Sequence, residues 1–185
     1  MLESIKQRAG RDDEQGFTLI ELMVVVLIIA ILLAIAIPTF LGARNSANSR
    51  AAQSSLRNAL TAEQTYWTNN QTFGTHTSTP TIDTIEPNLN WTPTSLSSTN
   101  SPNDILVTTL DSGAQVVLQS YGKDGSCYTV FQNNDSNVTI TNGNTGYSVQ
   151  KGSCPTVSAA PSSLTVGKAS ASASTNSGGT FYTGW

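Results

Sequence analysis

Hydrophobic residues are concentrated in one uninterrupted segment near the start of the chain. The 22 residues from Leu22 to Ala43 carry no charge, and their apolar side chains occupy every face of a helix. At 1.5 Å per residue such a helix is ~33 Å long, enough to cross the ~30 Å hydrocarbon core of a membrane. The pattern therefore predicts a membrane-spanning helix rather than the amphipathic helix of a soluble core.

The pattern becomes amphipathic beyond this segment, so we predict one long helix over residues 17–69 that continues through Pro38 with a kink. Small residues permit close packing between helices, whereas larger ones can hold a sheet. The small residues that recur at helical spacing are Ala47, Ala51, Ser54, Ser55, Ala59 and Ala62, beside the larger Leu56, Leu60, Tyr66 and Trp67. Asn69 and Asn70, followed by Phe73 and Gly74, are predicted to end the helix.

In the rest of the chain, apolar residues do not recur at helical spacing. Residues 70–104 contain four prolines and form a predicted connection that Trp91 anchors. Residues 105–154 alternate between apolar and polar positions and contain short turn sequences, which predicts three to five antiparallel strands packed on the helix. The predicted strands are Ile105–Leu110, Ala114–Ser120, Ser126–Gln132, Asn137–Thr141 and Thr145–Gln150. The predicted fold class is therefore α+β.

A tail rich in Ser, Ala, Thr and Gly occupies residues 155–185. This composition is typical of disordered or loosely draped segments. The tail ends in an aromatic sequence, Phe181 to Trp185, that can dock on the globular part of its own chain, on another subunit or on a surface. We nevertheless expect a frayed tail, because chain termini are ordered only when they are tied down.

Composition and charge exclude several functions. The formal net charge is −3 and there is no basic stripe, so the bulk surface has no evident affinity for nucleic acid. His76 is the single histidine and lies among Thr and Ser. No nucleophile motif, phosphate-binding loop or His/Cys cluster is present. We therefore predict no catalytic residues, no metal site, no cofactor and no enzymatic activity.

The N-terminal segment has an unusual order. A short charged leader ends at Gly16, and the hydrophobic helix follows it directly, whereas a secretory signal places its cleavage site after the hydrophobic stretch. One carboxylate, Glu21, lies at the start of the apolar span, where a charge is costly. Cleavage between Gly16 and Phe17 would create an amine that Glu21 can pair with, within one helix or between neighbouring helices.

Residues 16–38, GFTLIELMVVVLIIAILLAIAIP, resemble the class III signal of the type IV pilin family, and the helix up to Trp67 is similar to the amphipathic half of that family's long helix. The resemblance implies that a membrane prepilin peptidase removes leader residues 1–16. It also implies N-methylation of Phe17, an assembly role for Glu21, and a match between Pro38 and the family's helix proline.

The resemblance also implies how the protein works and what it binds. Residues 17–43 would hold the precursor in the cytoplasmic membrane as a single span. An assembly ATPase and a platform protein would then help to polymerise it with itself into an extracellular pilus for adhesion, motility or DNA uptake.

Two cysteines, Cys127 and Cys154, lie in the part of the chain that would be exported. Exported compartments oxidise thiols, which favours a disulfide over two free buried thiols. The resemblance also favours the bridge, because many pilins close their C-terminal region with one.

Two alternatives stay open on the sequence. A minor pilin or a type II secretion pseudopilin would share the N-terminal helix but form short filaments or tips. A membrane-anchored binding head is less favoured, because it would use the helix only as an anchor and leave Glu21 unexplained.

Overall fold

The computed structural model describes residues 16–78, 81–91, 94–140, 144–157, 161, 165–168 and 180–185. The predicted leader thus lies outside the described residues, except for Gly16. The chain divides into two compact units, the first ending at Leu41 and the second beginning at Gly42. Each unit is described by itself below, and the second unit is called the head.

A single helix, α1, spans Leu19–Asn70 and contains Pro38. The prediction that the helix continues through this proline is confirmed, while the predicted kink stays a prediction. Gln71 follows α1 with a positive φ of 56°, and its backbone N–H donates to the carbonyl of Trp67. This left-handed residue ends the helix, although glycine is the usual residue at such a position.

In the second unit, α1 buries one face. The buried residues follow helical spacing: Ala52, Ser55, Leu56, Ala59, Ala62, Glu63 and Tyr66. The small residues that recur along the sequence therefore do not all lie on the buried face. Ser55, Ala59 and Ala62 lie in the core, whereas Ala47, Ala51 and Ser54 are exposed.

A six-stranded sheet forms the rest of the second unit, in the order β1-β2-β3-β4-β6-β5. The strands are β1 (Leu106–Leu110), β2 (Gln115–Gly122), β3 (Ser126–Asn133), β4 (Thr145–Lys151), β5 (Thr165–Lys168) and β6 (Tyr182–Gly184). Neighbouring strands are antiparallel except β5, which runs parallel to β6. The predicted α+β class is confirmed.

The sheet is covered on both faces, so β2 and β3 are buried along their whole length. One face packs on α1, with Leu118 and Val130 against Leu56 and Ala59. On the other face Val117 and Phe131 form a second cluster with side chains from outside the central strands, namely Ile140, Val157 and Phe181. The 70–104 connection joins the α1 side through Ile82, Leu89 and Trp91, and the indole N–H of Trp91 donates to the Glu86 carbonyl at 2.9 Å. The predicted anchor role of Trp91 is confirmed.

The strand predicted over Asn137–Thr141 is wrong for residues 137–140, which are not in a strand, and Thr141 lies outside the described residues. The side-chain amide of Asn133 donates to the carbonyls of Asp135 and Val138 at 3.3 and 3.0 Å. These bonds fold the segment back instead of extending it. Ile140 is buried in the second cluster as a result.

The frayed tail is also wrong for the residues that the structure describes, because β5 and β6 belong to the sheet. Phe181 is 2% exposed and its ring lies 5.8 Å from that of Phe131. The Trp185 ring lies 5.4 Å from Tyr128 and 5.2 Å from Tyr147. The aromatic end of the tail docks on the head of its own chain.

Candidate functional site

The predicted cleavage point lies ahead of the helix. Gly16 and Phe17 precede α1 and are not in a helix or strand, and Phe17 is 90% exposed. A β-carbon added to Gly16 would meet no atom within 4 Å. Among the described residues, none therefore covers the peptide bond between these two residues.

Thr18 and Glu21 form a reciprocal cap on the first turn of α1. The backbone N–H of Thr18 donates to Glu21 Oε2 at 2.9 Å, and the backbone N–H of Glu21 donates to Thr18 Oγ1 at 3.3 Å. The Thr18 hydroxyl also donates to Glu21 Oε2 at 2.6 Å. This is a capping box, in which two side chains satisfy backbone N–H groups that a helix leaves free at its start.

The capping box was missed in the sequence, although its signal, Thr-x-x-Glu directly before a hydrophobic run, is present at residues 18–21. It changes the interpretation of Glu21. In the uncleaved chain the carboxylate has a local function at the helix start, so it is not an unexplained charge in an apolar span.

The helix after this cap exposes an apolar surface on all its sides. Eighteen large hydrophobic residues between Phe17 and Leu41 are exposed, from 48% at Val24 to 90% at Phe17. Surfaces of this size do not stay in water, so they mark contact with a membrane or with other proteins. Among the described residues, one helix is long and apolar enough to cross a membrane, namely α1.

The two cysteines form a disulfide, as predicted. Cys127 is buried in β3, and Cys154 follows β4 in the chain. Their Cα atoms are 5.1 Å apart. The bond fixes the chain that leaves the sheet next to β3, and Gln119 holds the same chain one residue later, because its Nε2 donates to the Pro155 carbonyl at 2.8 Å.

The polar side chains described in the second unit do not meet the needs of a metal site. Across the described ranges, no three His, Cys, Asp or Glu side chains lie close enough together to hold a metal ion. His76 contacts Asp83 at 3.3 Å, and about half of its side chain is exposed. The predicted absence of catalysis and of cofactors stays a prediction.

Comparisons with known proteins concern the same N-terminal region. The family model described as the prokaryotic N-terminal methylation motif matches residues 11–37. The chain is 42% identical over 59 residues to the type IV wide pilus major component PilA4 of Thermus thermophilus. That match covers 32% of this chain and 45% of PilA4, so the chain spans less than half the length of this relative. No solved structure was found to match the chain.

These matches confirm the resemblance drawn from residues 16–38. The N-terminal region has a type IV pilin methylation motif, and the match includes Gly16, Phe17, Glu21 and the exposed apolar residues up to Ile37.

Proposed function

We propose that this chain, whose N-terminal region carries a pilin methylation motif, is the precursor of a type IV pilus subunit. The observation that carries the proposal is the helix after Phe17. Its apolar side chains are exposed on all sides, yet it begins with a carboxylate and an open Gly16–Phe17 bond. A plain membrane anchor accounts for the apolar surface, and the capping box accounts for Glu21 in the uncleaved chain. A processed and polymerising helix also accounts for the methylation motif over residues 11–37.

The first step of the proposed pathway is processing at the membrane. A prepilin peptidase cuts between Gly16 and Phe17, and the new amine of Phe17 is methylated. Residues 17–43 then hold the mature chain in the cytoplasmic membrane as a single span, with the head on the outer side. The exposure of Phe17, which lies before the helix begins, supports this step, because a protease needs an accessible backbone.

The second step is assembly. An ATPase and a platform protein extract the subunit, and the apolar helices of many copies pack against one another. Burial of apolar surface stabilises such contacts by ~25 cal/mol per Å². Glu21 pairs with the Phe17 amine of its own chain or of a neighbouring chain, which sets the axial position of each subunit. An unpaired charge would be costly there, so this pairing favours one register over others.

The third part of the proposal concerns the head. Its sheet is covered on both faces by its own chain, so the head needs no partner to complete its core. It can therefore face outward on the filament and carry the adhesive, motile or DNA-uptake role of the pilus. Which of these roles it has depends on surface residues for which the sequence has no motif.

Mass spectrometry of protein sheared from cells tests the proposal. We expect a most N-terminal peptide that begins with N-methylated Phe17, and Gly16→Val should abolish it while the uncut precursor accumulates in the membrane. An intact leader in surface material, or a cut after Pro38, would contradict the proposal. A Gly42→Val variant is the matched control, since its β-carbon also meets no atom within 4 Å.

Abundance separates the major subunit from the nearest alternative. A major pilin dominates the sheared material, whereas a minor pilin or a type II secretion pseudopilin is a trace component there. A membrane-anchored binding head would instead stay in the membrane fraction and retain any ligand binding without a filament.

A further inference from the structure

Glu63 is a buried carboxyl that the proposed function does not use. It lies on the inner face of α1, is 0% exposed and sits one turn before Tyr66, which is 2% exposed. Its Oε2 accepts a hydrogen bond from the backbone N–H of Gly74 at 2.9 Å. Its Oε1 has no partner among the described residues. A buried carboxylate with one hydrogen bond and no cation is costly, so the neutral acid is the form that fits this site.

The bond from Gly74 crosses from α1 to the chain that leaves it. Residues 71–78, which we call the exit segment, begin with the left-handed Gln71 and turn back along the helix. Phe73 of this segment packs on Trp67, with ring centroids 4.8 Å apart, and its backbone N–H donates to Gly113 at 2.8 Å. Gly74 lies against the ring of Tyr66, because an added β-carbon would approach it to 3.1 Å. Glu63 thus adds a buried polar contact between α1 and the exit segment, beyond the bonds that Gln71 donates to Trp67 and Thr68.

We propose that Glu63 is a proton-dependent latch, which holds the exit segment against α1 as a neutral acid and releases it when the carboxyl loses its proton. An ionised carboxylate needs water, and water reaches Oε1 only if the exit segment moves away from the helix. The released part includes Phe73, which is 3% exposed in the closed state. Opening therefore uncovers the aromatic contact between Phe73 and Trp67 of α1.

Few charged groups surround this latch. On α1 the charged residue nearest in sequence is the exposed Arg57, and the exit segment contains one titratable side chain, His76, which contacts Asp83. The turn that packs on the exit segment contributes the exposed Asp111. None of these acts on Glu63: burial raises the pKa of its carboxyl to about 8, and the Gly74 N–H opposes this rise.

The direction of the pH effect follows from proton uptake. The closed state keeps a proton up to about pH 8, whereas the open state loses it near the ordinary value of 4.5. Between these values closing takes up one proton, so the closed state is favoured most at low pH. The equilibrium constant for opening should rise by up to about tenfold per pH unit from roughly pH 5 to 8 and then level off.

Hydrogen exchange of the full chain in detergent micelles tests the latch. Exchange of the amides of Phe73 and Gly74 is followed by mass spectrometry from pH 5 to 9 and corrected for the intrinsic pH dependence of exchange. We expect protection in the wild type to fall by about tenfold per pH unit, while E63Q, which cannot ionise, stays nearly constant. Equal slopes in the two proteins, or a wild type without a slope, would overturn the proposal.

Two further measurements keep the test decisive. H76Q should behave as the wild type, because His76 is the titratable side chain of the exit segment but contacts Asp83 and lies outside the latch. A flat profile in H76Q would assign the effect to His76 instead. If E63Q does not fold, infrared titration of the wild type replaces it. A neutral carboxylic acid band that persists at pH 6.5 supports the latch, and its absence overturns it.

Discussion

The two parts of α1 have the same backbone and opposite surfaces. Between Leu19 and Leu41 the helix exposes its apolar side chains on every side, while from Ala52 to Tyr66 it buries one stripe and exposes the rest. The second pattern is complete within one chain, because a sheet covers the stripe. The first is incomplete, since within the described chain nothing covers it. If the proposed function is right, folding and assembly are served by different stretches of one helix, and substitutions should separate the two.

Glu21→Ala should produce the largest effect, which is loss of filaments. The carboxylate lies in the first unit, outside the buried stripe of α1, so its removal should leave the folded head unchanged. Cleavage after Gly16 should continue, while filament yield should fall by at least tenfold because the Phe17 amine loses its partner. Sheared protein and membrane protein are quantified together in wild type and variant.

Glu21→Gln is the matched control for this prediction, because it keeps the length of the side chain and removes the charge. We expect it to fail in assembly as the alanine variant does. A wild-type filament yield in either variant would refute the proposed role of Glu21.

A pair of leucines tests the contrast between the two stretches directly. Leu56 is 0% exposed and Leu27 is 60% exposed, although both lie on α1. Leu56→Ala should lower the free energy of unfolding of the head by about 2–5 kcal/mol, because it leaves a cavity. Leu27→Ala should change it by less than about 0.5 kcal/mol.

Both leucine variants are unfolded as full-length protein in detergent, with near-ultraviolet circular dichroism as the signal of the head. A similar loss of unfolding free energy in the two variants would show that the whole helix unfolds as one cooperative unit. That result would contradict the proposed difference between the two stretches. Leu27→Ala should instead reduce filament yield, since it removes apolar surface from the assembling helix.

The sequence predicts these two stretches well, because each is dictated by a local pattern. A run without charges, from Leu22 to Ala43, needs no knowledge of the rest of the chain. The same is true of β1, β2 and β3, whose turns are short. The elements that the sequence did not predict depend on tertiary contacts. Strand β6 pairs with β4, which lies more than 30 residues earlier in the chain, and the Ser- and Gly-rich sequence around β6 has no strand pattern. The burial of Glu63 was not predicted because it depends on the exit segment, whose sequence shows neither a helical nor a strand pattern of apolar residues.

Trp185 tests how far the docked end of the tail belongs to the head. Its ring contacts Tyr128 and Tyr147, on β3 and β4. An aromatic pair contributes about 0.5–1.5 kcal/mol beyond its buried area, so Trp185→Ala should lower the free energy of unfolding of the head by about 1–3 kcal/mol. Urea unfolding of the full-length protein measures the difference. Trp185→Phe should recover part of it, and an alanine variant as stable as wild type would mean that the tail only rests on the sheet.

Thr18→Ala should have the smallest effect and completes the contrast at the start of α1. Glu21 caps the helix through Thr18 in the uncleaved chain, but in the proposed filament it pairs with the Phe17 amine. Removing Thr18 Oγ1 weakens the cap by about 1 kcal/mol and leaves the charge of Glu21 in place. We therefore expect slight fraying of the first turn by nuclear magnetic resonance, and filament yield near that of the wild type. A loss of filaments as severe as in Glu21→Ala would mean that Glu21 acts through the helix cap rather than through its charge.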